Sequence, residues 1–329
     1  ASVKCPTPIT AATTASMRCW IWSKLRPGVC LTTSALVTCD GLRVNPEIEA
    51  LISEVAGSRV TRVRPLSGGC VGDVFLAELA DGVKVVAKLG DGGTGSGLAR
   101  EGFMLRYLAE HSSLPVPDVL HAGDDILLME YLPASGRMDA SAERHAADLV
   151  ATLHNVVGPA FGFECDTVIG GLPQPNPLGH GWLAFFRDHR LLDRGARALQ
   201  AGRLPGAVMA RLEGLAGKLE TWIDEPAQPS LIHGDMWGGN VLVHDGRISG
   251  FIDPAIYFAD PEIELAFTTL FNTFGDVFFA RYREHRSIKP GFFEARRDLY
   301  NLYPLLVHVH LFGGSYVGSV ERTLTRFGC

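Results

Sequence analysis

The chain has 329 residues, of which 47% are apolar, and a formal net charge of −6 with histidine neutral. That length suggests about two domains with sizeable cores, and the mild acidity argues against a sequence-independent grip on nucleic acid, which needs a basic face. No run of about 18 consecutive apolar residues occurs, so no membrane-spanning helix is predicted.

Residues 1–40 differ from the rest. Positions 1–39 contain no Asp or Glu, are rich in Ser and Thr, and carry Lys4, Arg18, Lys24 and Arg26 with four of the seven cysteines. This composition is like that of a transit peptide; the blander reading is a disordered extension, or upstream sequence outside the functional protein. No CxxC pair is present, which disfavours a zinc knuckle or a thioredoxin-like site. The body of the chain reads as reduced and cytoplasmic, with a chloroplast or mitochondrion as the alternative if residues 1–40 are a targeting segment.

Asn45-Pro46-Glu47 reads as a helix start, followed by Ile48, Leu51, Ile52 and Val55 at helical spacing. Strand signals follow at 60–66, 71–79 and 83–89, with Asp81-Gly82 as a hairpin turn. Gly-rich 90–97 reads as a loop and 98–110 as a helix, stopped by Pro115 and Pro117. Two further strands are expected at 119–120 and 126–129. Beyond Pro133 the pattern turns helical over 139–156, 181–201, 206–223, 261–285 and 290–318. One strand–turn–strand, 241–243 and 248–252 around Asp245-Gly246, interrupts it. The expectation is an α+β chain with a β-rich N-lobe over 41–132 and a mostly helical C-lobe over 133–329, after the extension at 1–40.

The segment LIHGDMWGGN, 231–240, sets His233, Asp235 and Asn240 in one short loop between apolar runs. Phosphoryl transfer needs a carboxylate to orient the attacking hydroxyl, oxygen ligands for magnesium, and donors over the phosphates. The H-x-D-x-x-x-x-N spacing supplies the first two on one loop. Asp253 stands thirteen residues past Asn240, and the intervening hairpin would return it beside Asn240 as a second magnesium ligand. His233 reads as a structural brace. In the front half, Gly68, Gly69 and Cys70 lie in a Gly-rich turn suited to phosphate oxygens, although no Walker A pattern follows. Lys88 ends the next strand in the position of a phosphate-binding lysine, with Lys84 on the same face. Glu101 on the following helix is the expected partner acid, with Glu110 as the alternative. Backbone groups at Glu130 and Leu132 are expected to meet an adenine edge. The cofactors implied are ATP and Mg2+.

Asp253-Pro254-Ala255 stands where protein kinases carry D-F-G, and Asp260-Pro261-Glu262 starts a helix almost at once. No peptide-docking segment fits between them, which favours a small acceptor. The motifs HGDMWGGN (233–240), FIDPAIYFADPEIELA (251–266), FGFECDTVIGGLPQPNP (161–177), WLAFFRDHR (182–190) and SGGCVGDVF (67–75) resemble the fructosamine/ketosamine-3-kinases, relatives of the aminoglycoside phosphotransferases, over 45–327. The resemblance implies a bilobal protein-kinase-like fold and ATP-dependent phosphorylation of the 3-hydroxyl of a ketosamine, free or on a glycated protein, with deglycation as the outcome. It implies Asp235 as base and Asn240 and Asp253 as magnesium ligands. Trp237 would stack on the sugar or plug the loop, and His180, Asp188 and His189 would line the acceptor side or simply be helix-surface charge. The family often has Cys at the position of Cys70, which implies redox control and either a monomer or a redox-linked homodimer. Leu89-Gly90 depart from the Lys-x-Asn that usually ends the lysine strand. The alternatives are an aminoglycoside-type phosphotransferase, one for another small hydroxyl compound, or a nucleotide-binding pseudokinase.

Overall fold

The computed structural model describes residues 46–66, 73–90 and 97–329. Two compact units divide these residues. One runs to Ala99 and takes in Val119–Tyr131; the other holds Arg100–Asp118 and Leu132–Cys329.

The first unit is a five-stranded antiparallel sheet in the order β1-β2-β3-β5-β4, built from β1 (Val60–Pro65), β2 (Asp73–Leu79), β3 (Lys84–Leu89), β4 (Val119–Ala122) and β5 (Ile126–Glu130). Helix α1 (Pro46–Ala56) lays Ile48, Leu51, Ile52 and Val55 against one face of this sheet, where Val85, Ala87, Ile126 and Leu128 are buried. Alternation along β3 sends Val85 and Ala87 into that core and leaves Lys84 exposed on the other face. Lys88 shares the face of Lys84 yet is 6% exposed, paired across the sheet with Val74 and Leu127.

In the second unit, α2 (Leu98–His111, from Arg100 onward) and α3 (Ala140–Leu153) join one large apolar core. Asp139 caps α3 by accepting the N–H groups of Ser141 and Ala142. Two short strands, β6 (Thr167–Ile169) and β7 (Leu172–Gln174), form a hairpin through Gly170 and Gly171, both at positive φ. A continuous helical stretch follows: α4 (Trp182–Phe185), a π-helical turn over Phe186–Leu192, then α5 (Asp193–Gln200). After α6 (Gly206–Ala216) come β8 (Ser230–Ile232), the hairpin β9 (Val241–His244) and β10 (Arg247–Phe251), and β11 (Tyr257–Ala259), which pairs with β8. The unit ends with α7 (Pro261–Leu270), α8 (Asp276–His285), α9 (Arg297–Tyr300), α10 (Leu302–Phe312) and α11 (Ser315–Arg326).

Several expected elements change form. The helix expected over 261–285 is two helices, broken where Asn272 takes φ 53 ahead of Gly275. The helix expected over 290–318 breaks at Gly313 and Gly314, both at positive φ, after a π-helical turn at Phe292–Arg296. The short strands β6, β7, β8 and β11 were not anticipated. Cys329 is a free thiol.

The expected start of α7 is realised: Asp260 is its N-cap with Pro261 at the first turn, and the Asp260 carboxylate accepts the Glu262 N–H at 3.0 Å. Its other oxygen accepts the Tyr300 hydroxyl at 2.7 Å, and Tyr300 in turn receives the Trp182 indole N–H at 3.0 Å. Burial, reinforced by the neighbouring Glu262 charge, raises the Asp260 pKa to about 6. A carboxyl raised in the folded state stabilises the fold only while it is protonated, so its contribution fades as pH rises from about 4 to about 6. The difference in unfolding free energy between the parent protein and Asp260→Asn should therefore shift against the parent by on the order of 3 kcal/mol across that window. Urea unfolding at pH 4, 5, 6 and 7 checks this; a difference that does not change with pH would contradict it.

Candidate active site

The loop 233–240 has no regular secondary structure, so its shape must come from specific bonds. It leaves β8 at Ile232 and enters β9 at Val241. The His233 carbonyl accepts the Ala255 N–H at 2.7 Å, and the Asn240 carbonyl accepts the Ile252 N–H at 3.0 Å. These two bonds clamp the ends of the loop onto the stretch between β10 and β11, which holds Asp253. The expected hairpin makes this return possible: Asp245 (φ 48) and Gly246 (φ 67) form its turn. Gly234 sits at φ 85, and a Cβ there would collide with the Ala255 carbonyl oxygen. Asp253 itself takes φ 55, an unusual conformation for a non-glycine residue.

Within the loop, the Asn240 side-chain amide donates to the Asp235 carbonyl at 2.9 Å and to the Asp235 carboxylate at 3.1 Å. Both donations use the amide nitrogen, so the opposite arm, Oδ1, keeps its lone pairs. Asp235 and Asp253 are half-buried, whereas Asn240 is 3% exposed. The donor chemistry near Asp253 is therefore one carboxylate and one amide oxygen, hard ligands that fit Mg2+ completed by phosphates and water. Among the described residues no group of three or more His, Cys, Asp or Glu could hold a metal, so a self-sufficient protein cage is not what this arrangement offers.

His233 is fully buried, and its Nδ1 accepts the Asp235 N–H at 3.4 Å. Burial lowers its pKa, against the raising influence of Glu264, Asp253 and the Ile252 carbonyl. A neutral imidazole that accepts a backbone N–H is the brace expected from sequence. Glu264, on α7, was missed. Its carboxylate accepts the Gly234 N–H at 2.7 Å and pairs with His154 Nε2 at 2.9 Å, while His154 Nδ1 meets the Tyr282 hydroxyl at 2.8 Å. Glu264 is 2% exposed and His154 0%, so this relay is hidden behind the loop. No short-range spacing could announce it, since its bonded pairs lie 30 to 128 positions apart.

Trp237 is half-buried, and its ring lies where a Cβ on Gly239 would be. It meets Phe271 edge-on at 6.2 Å; Phe271 meets His308 at 5.1 Å, and His308 meets Tyr316 at 4.9 Å. The loop thus carries an aromatic row on the side of Trp237. Asp188 pairs with Arg187 at 2.7 and 2.9 Å on the surface, as helix-surface charge does, and His180 is exposed. Leu132 packs onto β10 so closely that a Cβ on Gly250 would strike it. Glu130 ends β5, Lys88 lies on β3, and Glu101 is half-buried on α2. Gly68, Gly69 and Cys70 lie outside the described residues.

Gly234→Ala tests the loop geometry. Backbone strain alone should cost about 1–3 kcal/mol, and displacement of Ala255 should add to it. The melting temperature should fall; a variant with the parental melting temperature would show that the loop accommodates a side chain.

With this geometry in place, three likenesses bear on it. A candidate ketoamine kinase of Synechocystis is 34% identical over 284 residues, covering 83% of this chain and 93% of that protein. The crystal structure of a candidate fructosamine-3-kinase from Thermobifida fusca superposes with a TM-score of 0.76 at 30% identity, covering 85% of this chain and 98% of that one. An aminoglycoside phosphotransferase mutant, solved with ADP and hygromycin B, shares the fold with a TM-score of 0.61 at 17% identity, over 85% of this chain and 98% of that one. The α+β, protein-kinase-like fold is common to these phosphotransferases. The family model described as fructosamine kinase matches residues 44–327, and the chain belongs to that family.

Proposed function

We propose that the protein is an ATP-dependent ketosamine 3-kinase. The observation that carries the reading is the Asn240 amide held against the Asp235 carboxylate at 3.1 Å, with Asp253 brought beside them by the 252–240 and 255–233 backbone bonds. Asp235 orients the sugar 3-hydroxyl and accepts its proton as the phosphoryl group transfers. Asn240 Oδ1 and the Asp253 carboxylate hold Mg2+, which when bound neutralises charge on the phosphates. Lys88, with Glu101 as its partner acid, places a cation on the nucleotide phosphates; Gly68, Gly69 and Cys70 give backbone donors to them, and backbone groups at Glu130 and Leu132 take the adenine edge. Trp237 offers its face to the sugar, because a ring partly open to solvent two residues from the base suits the apolar face of a pyranose or furanose. The 3-phosphate of a ketoamine adduct is prone to elimination, which frees the amine, so deglycation of small ketosamines or of glycated protein is the proposed outcome.

Among the described residues no helix is long and apolar enough to cross a membrane. A cytoplasmic site of action is proposed, with an organelle as the alternative if residues 1–40 direct import. A second reading, an aminoglycoside-type or other small-molecule phosphotransferase, shares the same loop and differs only in the acceptor.

ATP consumption with synthetic fructosyl- and ribulosyl-amines, followed by location of the phosphate ester, separates these readings. Asp235→Asn should lose roughly 10²-fold or more in turnover; unchanged activity would remove Asp235 from the assigned role, and turnover with an aminoglycoside alone would favour the second reading. Cys70, which stands after Gly68-Gly69 in the sequence, gives a further expectation: its thiol is proposed to be open to oxidation. Activity of the parent protein should rise with dithiothreitol and that of Cys70→Ala should not; equal activities of the parent with and without the reductant would end the idea.

A further inference from the structure

The stretch 161–177 and the helical segment 182–190 stand out in the sequence, yet none of their residues belongs to the proposed chemistry. Their side chains meet instead in one buried hydrogen-bond network. Gln174 Nε2 donates to the Ala255 carbonyl at 3.0 Å and to Thr167 Oγ1 at 2.8 Å. Thr167 Oγ1 donates to the Ile256 carbonyl at 3.3 Å and also accepts the Asn176 amide at 2.8 Å. Gln174 Oε1 accepts the Tyr303 hydroxyl at 2.5 Å, and Asn176 Oδ1 accepts Arg190 Nη2 at 2.5 Å. Arg190 Nη1 is bonded to the Pro175 carbonyl at 2.8 Å, and the guanidinium lies 3.9 Å from the centre of the Tyr257 ring. Thr167, Gln174, Asn176 and Arg190 are each 0–1% exposed.

This network ends on the backbone of residues 255 and 256, between β10 and β11, where no strand ladder supplies bonds. Ala255 is held from both sides: its N–H goes to His233 at the start of the Asp235 loop, and its carbonyl goes to Gln174. Asp253, at φ 55, lies two residues before it. A left-handed non-glycine residue persists only where its surroundings over-determine it.

We propose that Gln174 is a positioning residue for Asp253, and that Thr167, Asn176, Arg190 and Tyr303 fix Gln174 in turn. The inference rests on the reading that Asp253 is a Mg2+ ligand. The β6–β7 hairpin is then a strut that sets the direction of the Asp253 carboxylate through Ala255, and so sets the metal affinity of the nucleotide complex rather than the grip on the acceptor.

The test replaces Gln174 by Met, which keeps length and volume and removes the donor to Ala255. Binding of Mn2+ to the ADP complex is read from the free-ion paramagnetic resonance signal, alongside steady-state kinetics. Outer partners of metal ligands typically matter by 10–100-fold, so Mn2+ affinity in Gln174→Met should fall by about tenfold, with a matching rise in the Mg2+ needed for half-maximal turnover and an unchanged KM for the ketosamine. Tyr303→Phe, which deletes only the hydroxyl on Gln174, should move both values in the same direction by a smaller factor and covers the case in which Gln174→Met does not fold. Arg296→Met breaks the buried Glu262–Arg296 pair and should lower the melting temperature without changing Mn2+ affinity, which separates positioning from general destabilisation. Parental Mn2+ affinity in folded Gln174→Met or Tyr303→Phe overturns the inference. If Asp253→Asn also binds Mn2+·ADP like the parent, it is the metal reading itself that fails.

Discussion

The site depends on a carboxylate that never reaches solvent. Glu264 accepts the Gly234 N–H and pairs with His154, and both side chains are essentially fully buried. A buried carboxyl is costly unless its oxygens are hydrogen-bonded. Here one oxygen meets the loop and the other an imidazole, so the group is satisfied only when the loop is in place. Burial holds the His154 pKa down against the raising effect of Glu264, and Tyr282 fixes its other nitrogen. The end of α3, the middle of α7 and the end of α8 therefore converge on one backbone N–H. A loop without a hydrogen-bond ladder of its own gains its rigidity from them.

Gly234 shows how backbone and side chain divide this work. Its positive φ turns the N–H toward Glu264, while the absent Cβ lets the Ala255 carbonyl approach. Two demands thus meet at one position, and only glycine satisfies both. His233 and Met236 are fully buried and anchor the loop three positions apart, with Asp235 and Trp237 left partly open.

What the sequence made legible follows from how local each feature is. The β9–β10 hairpin was readable because Asp245-Gly246 is a turn signal that acts over four residues, and the α7 start because Asp260-Pro261 specifies a cap over three. The spacing of His233, Asp235 and Asn240 was readable because one loop must present all three. Apolar periodicity placed α1, α2 and α3. It failed at 271–275 and 313–314, where apolar residues on both sides hid breaks that positive-φ residues make. The strands β6 and β7 escaped notice because Pro173 and two glycines read as loop, and three-residue strands leave no alternation to detect. Glu264 looked like one more acid in DPEIE. Nothing in its neighbourhood distinguishes it from Glu262, which turns to Arg296 instead.

That last pair of acids shows where local reading ends. Glu262 and Glu264 sit two residues apart on α7, both nearly buried, and face different partners because successive helical positions are rotated by about 100°. One closes an ion pair with Arg296 that supports only the helical core; the other reaches the loop of Asp235. The sequence distance between them is trivial, but the residues that give each its meaning lie 30 and 34 positions away. The same holds for Gln174 and Ala255, 81 positions apart. Most chemical groups of this site are written in one short loop and the stretch that returns beside it, whereas the bonds that aim them come from α7, α8, the end of α3 and the β6–β7 hairpin. A substitution far along the chain can therefore disturb the geometry of Asp235 or Asp253 without touching either.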